Sequence, residues 1–495
     1  MEPIKEYSKY TRQVGYVLSA NVVGLLLGLI QLPLLAKGLG AHLYGAWGLI
    51  SAAVSFIAPF AFLGLTEGML RFLAAETDRN KIREDFFSAF FITVFISGIA
   101  FALILFLVSD LLAASIFKDA GLSIYVKIGA IFIPVTCLGS IVGSYLTTFR
   151  KIGLLAAFSI VQSAVSVGGI AVSILLGYKL TGVIIAYFGV SLLFNLVLLM
   201  VIVKNIGFKF PSFINVRSYL SYGLPLTPTS AILWIISSSD RYMISYFKGV
   251  TDAGIYSAAY TISWYTVFLV SPITRLLFPT VAKSYDEQNL VETRNYMRYS
   301  LKYFLMIAIP SAFGLSILAR PILRVLTTSE FISGDVIVPF IAFGGVLFGI
   351  SEMNVFIIHL VKKTRLVFIL LMSAALLNIV LNLILIPRLG IVGAAVATLI
   401  SYGALCSLVI TITRRYLKFD FSLTFILKSV FSAAVMALCI RWFNPQSTAL
   451  IVAAIFGGAV IYFGVLLLIR GLSKEERAFF LNFVRELRPF RHGGA

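Results

Sequence analysis

Acidic side chains are scarce in this chain: 21 Asp and Glu stand against 40 Lys and Arg, and charged residues of all kinds make up 12% of 495 positions. A chain so poor in charge and 60% hydrophobic has too little polar material to cover a soluble surface. Cysteine is nearly absent as well. Cys137, Cys406 and Cys439 all fall in apolar runs, which excludes a disulfide framework. The three histidines, His42, His359 and His492, lie far apart without metal-ligand spacing, so no metal site is expected. No G-x-x-x-x-G-K loop occurs, hence no ATPase and no nucleotide cofactor. No loop is long enough for a catalytic domain; the longest, from Ala282 to Ser300, is of mixed charge. The chain is therefore read as a non-enzyme, with no catalytic residues and no cofactor.

What the sequence does contain is apolar length. Fourteen segments approach or exceed the roughly 20 residues a helix needs to cross a bilayer. They run Val14–Ala36, Trp47–Leu70, Phe86–Val108, Ile124–Leu146, Leu154–Leu176, Gly182–Val203 and Leu226–Phe247. The second set runs Gly254–Pro279, Leu301–Leu318, Val336–Leu360, Val367–Ile386, Ile391–Thr413, Leu423–Phe443 and Ala449–Ile469. The expected fold is an all-α integral membrane protein. The first span follows a charged tail without a small-residue cleavage site, so it is read as a retained helix.

The net charge of +19 invites a nucleic-acid reading, but its placement argues for topology instead. With a cytoplasmic N-terminus, 29 Lys and Arg fall in the tails and even-numbered loops and 10 in the outer loops and helix ends; Arg275 lies within a span. Basic residues near span ends stay on the cytoplasmic side. Both termini are thus expected inside a plasma membrane, with membrane lipids as partners and no nucleic acid.

A repeat organises the spans. Gly45 after span one matches Gly254 after span seven, 209 positions on, within Leu43-Tyr44-Gly45-Ala46-Trp47 and Ala253-Gly254-Ile255-Tyr256-Ser257. Gly182 and Gly393, and the basic turns Arg150-Lys151 and Lys362-Lys363, repeat at nearly the same offset. The expected domains are a lobe of helices one to six (1–205), a second lobe of helices seven to twelve (206–415), and a trailing pair with a basic tail (416–495). Six spans per lobe make the repeat parallel, an arrangement in which transporters bind substrate between lobes.

Polar residues inside spans mark candidate sites, since each ionisable group there is costly. Span eight carries Arg275, placed to meet an entering phosphate or to snorkel to headgroups. Glu67 in span two sits at similar depth, able to pair with Arg275 or with Arg71 one turn on. Asp240 and Arg241 in span seven are adjacent and point about 100° apart, which leaves substrate contact and a structural clamp both open. Tyr260 and Trp264 lie mid-helix beside serines, as a cavity lining or as interface aromatics. Glu352 and His359, seven apart on one face of span ten, are candidates for a coupling proton or cation, with His359 also explicable as an interface residue beside Lys362.

Tyr222-Gly223-Leu224-Pro225, Ser239-Asp240-Arg241-Tyr242, Gly254-Ile255-Tyr256-Ser257-Ala258-Ala259-Tyr260 and Leu277-Phe278-Pro279 resemble the Wzx-type polysaccharide flippase family of the multidrug/oligosaccharidyl-lipid/polysaccharide exporter superfamily. Ile386-Pro387-Arg388-Leu389-Gly390-Ile391-Val392-Gly393 resembles its second-lobe turn. The resemblance implies alternating-access transfer of a polyprenyl-pyrophosphate-linked oligosaccharide to the outer leaflet, alongside other polysaccharide assembly proteins. Lipid-linked peptidoglycan precursor flippases carry several arginines in their first two spans, whereas here span one has none and span two has only Arg71 near its end. Cation-coupled multidrug exporters usually have twelve spans and often an acid in span one, and this chain departs from both. A multidrug exporter and a non-transporting assembly component stand as the alternatives.

Overall fold

A peptide group in hydrocarbon has no water to bond, so an apolar run closes its hydrogen bonds on itself as a helix. In the computed structural model every element among the described residues is helical. Those residues are 2–268, 277, 280–419, 422–472 and 476, with side chains from residue 22 onward.

The helices in chain order are α1 (Glu2–Phe62), α2 (Leu65–Phe72), α3 (Arg79–Phe90), α4 (Gly98–Leu112), α5 (Ser123–Ile131) and α6 (Ile133–Thr148). Next come α7 (Ile152–Leu175), α8 (Lys179–Ile206), α9 (Val216–Gly223), α10 (Thr227–Lys248) and α11 (Val250–Phe268). The last six are α12 (Leu290–Leu326), α13 (Val338–Leu360), α14 (Thr364–Leu389), α15 (Ile391–Thr413), α16 (Leu423–Phe443) and α17 (Thr448–Leu468).

Eleven helical stretches among the described residues are long and apolar enough to cross a membrane. The first of them, Val22–Phe62, holds two of the expected spans. Gly40 breaks it with φ 73° and ψ 172°, a left-handed φ that a side chain would disfavour. Glu330 then accepts from the Ala41 amide at 2.9 Å and caps the segment that follows. The two remaining expected spans are α10 and α11, which form as helices but fall short on apolarity because of their hydroxyl and charged residues. Each of the fourteen spans read from the sequence thus has a helix among the described residues, span eight as far as Phe268.

Two local differences from expectation have identifiable causes. The segment from Ala282 to Ser300 is not an open loop, because α12 starts at Leu290. Asn289 caps it: its Oδ1 accepts the Glu292 amide at 3.2 Å while its Nδ2 donates to the Glu292 carboxylate at 2.8 Å. Ahead of span seven, the short helix α9 is tied to α3 through Asp85, which accepts from Asn215 Nδ2 and Tyr219 Oη, each at 2.9 Å.

The helices pack as two units, one of residues 1–259, 326–334 and 371–401, the other of 260–325, 335–370 and 402–495. In both, large apolar side chains point outward, such as Leu107, Leu175, Met200, Leu438 and Val460, while serine, threonine and asparagine are buried. Lipid tails are as apolar as leucine, so close packing and hydrogen bonds hold helices together in a membrane, and small polar residues supply both. In the first unit the Ser144 hydroxyl of α6 donates to the Thr66 carbonyl of α2 at 2.8 Å. In the second, Ser429 and Tyr462 share a hydrogen bond at 2.7 Å within a core built around Phe304, Met353 and Leu466.

Asp85 is 5% exposed and serves two donors. Asp85→Ala leaves both without an acceptor, and the expected loss is about 2 kcal/mol of stability. Thermal unfolding of the purified protein in detergent measures it, and an unchanged midpoint would show that the α3–α9 tie adds nothing.

Candidate functional site

Within the first unit, the part of α1 after Gly40 lies against α10 and α11. A Cβ on Gly45 would collide with the Val250 carbonyl and the Gly254 backbone, and one on Gly254 would collide with the Ala41 carbonyl and the Gly45 backbone. The contact is reciprocal at the repeat offset, since 41 corresponds to 250 and 45 to 254. His42 and Thr251, also 209 apart, meet at 3.4 Å. Equivalent residues touch one another only where a two-fold axis passes between them. The pseudo-repeat read from Gly45 and Gly254 therefore has a physical meeting point.

Hydrogen bonds carry the contact further along the same face. The Trp234 indole donates to the Ala52 carbonyl at 2.9 Å and the Tyr242 hydroxyl to the Leu49 carbonyl at 2.6 Å. At the far end of this packing, Gly64 meets Gly223 so closely that a Cβ on either would overlap the backbone of the other.

Asp240 is 1% exposed and Tyr256 fully buried. The Tyr256 hydroxyl donates to Asp240 Oδ2, and the Arg241 amide donates to Oδ1 at 2.8 Å. An ionisable group at this depth needs such partners. The bond ties α10 to α11, and the half-buried Arg241 occupies the neighbouring face of α10.

Two cavities open within this unit. One, of about 520 Å³, is lined by Glu67 together with Thr66, Ser140, Ser144, Thr227 and Ser230. Glu67 is exposed there; it accepts from Thr66 Oγ1 at 2.5 Å and forms no ion pair with Arg71. It also stands in the first turn of α2, where the helix dipole favours a carboxylate. The other cavity, of about 540 Å³, lies among α1, α6, α7 and α8. Its lining is neutral and polar (Gln31, Ser51, Ser159, Gln162, Asn195) with Trp47 and Tyr187 edge-to-face at 5.3 Å.

In the second unit the Tyr260 ring stacks on Trp264 with centroids 5.2 Å apart, and Trp264 abuts Phe348 and Tyr402. Glu352 and His359 both lie on α13, which is unbroken between them. Seven residues separate them by about 10 Å along the axis, so they do not share one ligand position. Among the described residues the half-buried Glu352 carboxylate has no hydrogen bond or ion pair. Arg275 lies outside the described residues. Lys127, one turn inside span four, pairs with Asp110 at 2.8 Å.

The family profile described as "Polysaccharide biosynthesis protein" matches residues 10–285. The chain belongs to that family. The MatE profile matches 225–384 of this polysaccharide biosynthesis family member. It is 25% identical over 283 residues to a probable low-salt glycan biosynthesis flippase of Haloferax volcanii, covering 56% of this chain and 59% of the relative. It is 24% identical to a succinoglycan biosynthesis transport protein of Rhizobium meliloti, covering 67% and 65%. The chain spans about half to two thirds of the length of the curated relatives it matches. Among solved structures, the lipid II flippase MurJ in an inward closed conformation superposes with a TM-score of 0.76 at 19% identity, over 91% of this chain and 98% of that one. An inward-facing MATE family multidrug transporter gives 0.70 at 14% identity, over 79% and 94%. These likenesses fix the fold of the polysaccharide biosynthesis family member.

Sequence reasoning missed the neutral cavity and the Gly64–Gly223 contact. Gln31, Ser159, Gln162 and Asn195 sit three to four residues apart or on separate helices, so only packing gathers them. Gly223 did stand in a family motif; its partner Gly64 carried no signal of its own. Tyr256→Phe leaves the buried Asp240 with one donor fewer, and the expected cost is about 1–3 kcal/mol. Asp240→Asn in the same background removes the charge and is expected to recover part of the loss; detergent unfolding curves of the three proteins decide it.

Proposed function

We propose that the protein moves a polyprenyl-pyrophosphate-linked oligosaccharide from the cytoplasmic to the outer leaflet of the plasma membrane by alternating access, as a transporter and not an enzyme. Each hydroxyl forced unpaired into hydrocarbon costs about 2–7 kcal/mol, so a glycan headgroup needs a polar shelter while its lipid tail stays in the bilayer. The observation that carries the reading is such a shelter inside the spans, one cavity with hydroxyls beside Glu67 and another with hydroxyl and amide groups, in a chain of the polysaccharide biosynthesis family. The loop charges support cytoplasmic termini. The reading keeps the two six-helix lobes, 1–205 and 206–415, as the moving parts, with 416–495 appended. Arg275 and Arg241 are assigned to the pyrophosphate, Tyr260 and Trp264 to sugar faces, Asp240 and Glu67 to the headgroup path, and Glu352 and His359 to two successive stations of a coupling ion. Other polysaccharide assembly proteins are the expected partners.

The MatE match and the unpaired carboxylate of Glu352 favour a second reading, a cation-coupled exporter of amphipathic compounds. Proteoliposomes holding a fluorescent short-chain polyprenyl-pyrophosphate oligosaccharide, with an outer-leaflet quencher, separate the two. Glycolipid movement is expected in wild type and a loss of tenfold or more in Arg275→Ala; dye export without glycolipid movement would select the exporter. Glu352→Gln is expected to abolish any acceleration by an imposed sodium or proton gradient while leaving gradient-free exchange intact, and an unchanged gradient response would remove Glu352 from the coupling role.

A further inference from the structure

We infer that a cleft at one end of α12 and α16 binds the phosphate of an anionic lipid headgroup. The cleft has a volume of about 480 Å³, and Arg320, Arg324 and Arg441 line it against a single carboxylate, Asp335. Arginines on the outer side run against the positive-inside bias, and the loop charges assign all three to that side. The fold gathers them into one cavity.

The hydrogen bonds leave the wall rich in donors. Gln446 Oε1 accepts from Arg324 Nη1 at 2.6 Å, and Asn444 Oδ1 accepts from Gln446 Nε2 at 2.7 Å. Both amide oxygens are thereby occupied, and the chain of bonds steadies the Arg324 guanidinium. Arg441 has no hydrogen bond or ion pair among the described residues. Asp335 faces Arg320 at 3.8 Å, too long for a tight pair. Three forked cations and one weakly engaged anion leave net positive charge and free N–H groups, the complement of a phosphate.

The position along the helices fits a headgroup. Lys302, 12 residues into α12, holds Glu476 at 2.7 Å and sits over the Phe425 ring of α16 at 5.0 Å. Lys302 and Arg324 are 22 residues apart, about 33 Å along a helix, which matches the hydrocarbon thickness. Trp442, beside Arg441, is 92% exposed, as expected of an aromatic at the membrane interface.

The test is native mass spectrometry of the full-length, delipidated protein titrated with phosphatidylglycerol, phosphatidylcholine, a polyprenyl pyrophosphate or inorganic pyrophosphate. Transport is not its readout, so it stands or falls apart from the flipping activity. Wild type is expected to retain phosphatidylglycerol or the polyprenyl pyrophosphate over phosphatidylcholine, and the tighter of the two names the source. Arg324→Gln with Arg441→Gln is expected to weaken that binding about thirtyfold. Arg324→Lys with Arg441→Lys should keep most of it, and Lys428→Gln, at the opposite end of α16, all of it. Equal retention of phosphatidylcholine, an unaltered affinity in the double glutamine variant, or binding of inorganic pyrophosphate without either anionic lipid would overturn the inference.

Discussion

The first unit depends on bringing one helix backbone directly against another. Helix packing in a membrane gains little from burying apolar surface, because lipid already provides it. What remains is the close approach of backbones and the hydrogen bonds that approach permits. At Gly45 and Gly254 there is no side chain to keep the strands of backbone apart, and the Trp234 and Tyr242 donors reach carbonyls of the facing helix. The Asp240–Tyr256 bond then fixes α10 on α11, so the pair meets α1 as one surface.

The same economy explains where polarity lies. Outward faces are mostly apolar, whereas the buried positions carry hydroxyls and amides that bond within or between helices. Groups left over line cavities, as Glu67 and Gln162 do. Some charge is paired, as in Lys127 with Asp110 and Lys302 with Glu476, some is collected in the arginine cleft, and Asp240 is held inside α10 by its donors.

Much of the architecture was legible in the sequence because a membrane imposes length and apolarity on each helix independently of its neighbours. Even the break at Gly40 fell between two cuts. The repeat was legible for a different reason: Gly45 and Gly254 are constrained by the same contact, once from each side. Sites were less legible. Asp240 was visible as a costly residue, but only packing shows its carboxylate turned inward to Tyr256. Asp85 carried no signal in the sequence, and packing makes it the α3–α9 tie. The arginine cleft draws on segments 320–336 and 440–446, more than a hundred residues apart, and no local pattern joins them.

Span seven, and span eight as far as Phe268, are denser in hydroxyl and charged residues than the eleven apolar stretches, and they bond to and pack against α1. This imposes an order on biogenesis. The early helices can partition into lipid as they emerge, but α10 and α11 settle only against a neighbour already in place. α10 and the start of α11 are thereby folded on a surface that α1 supplies.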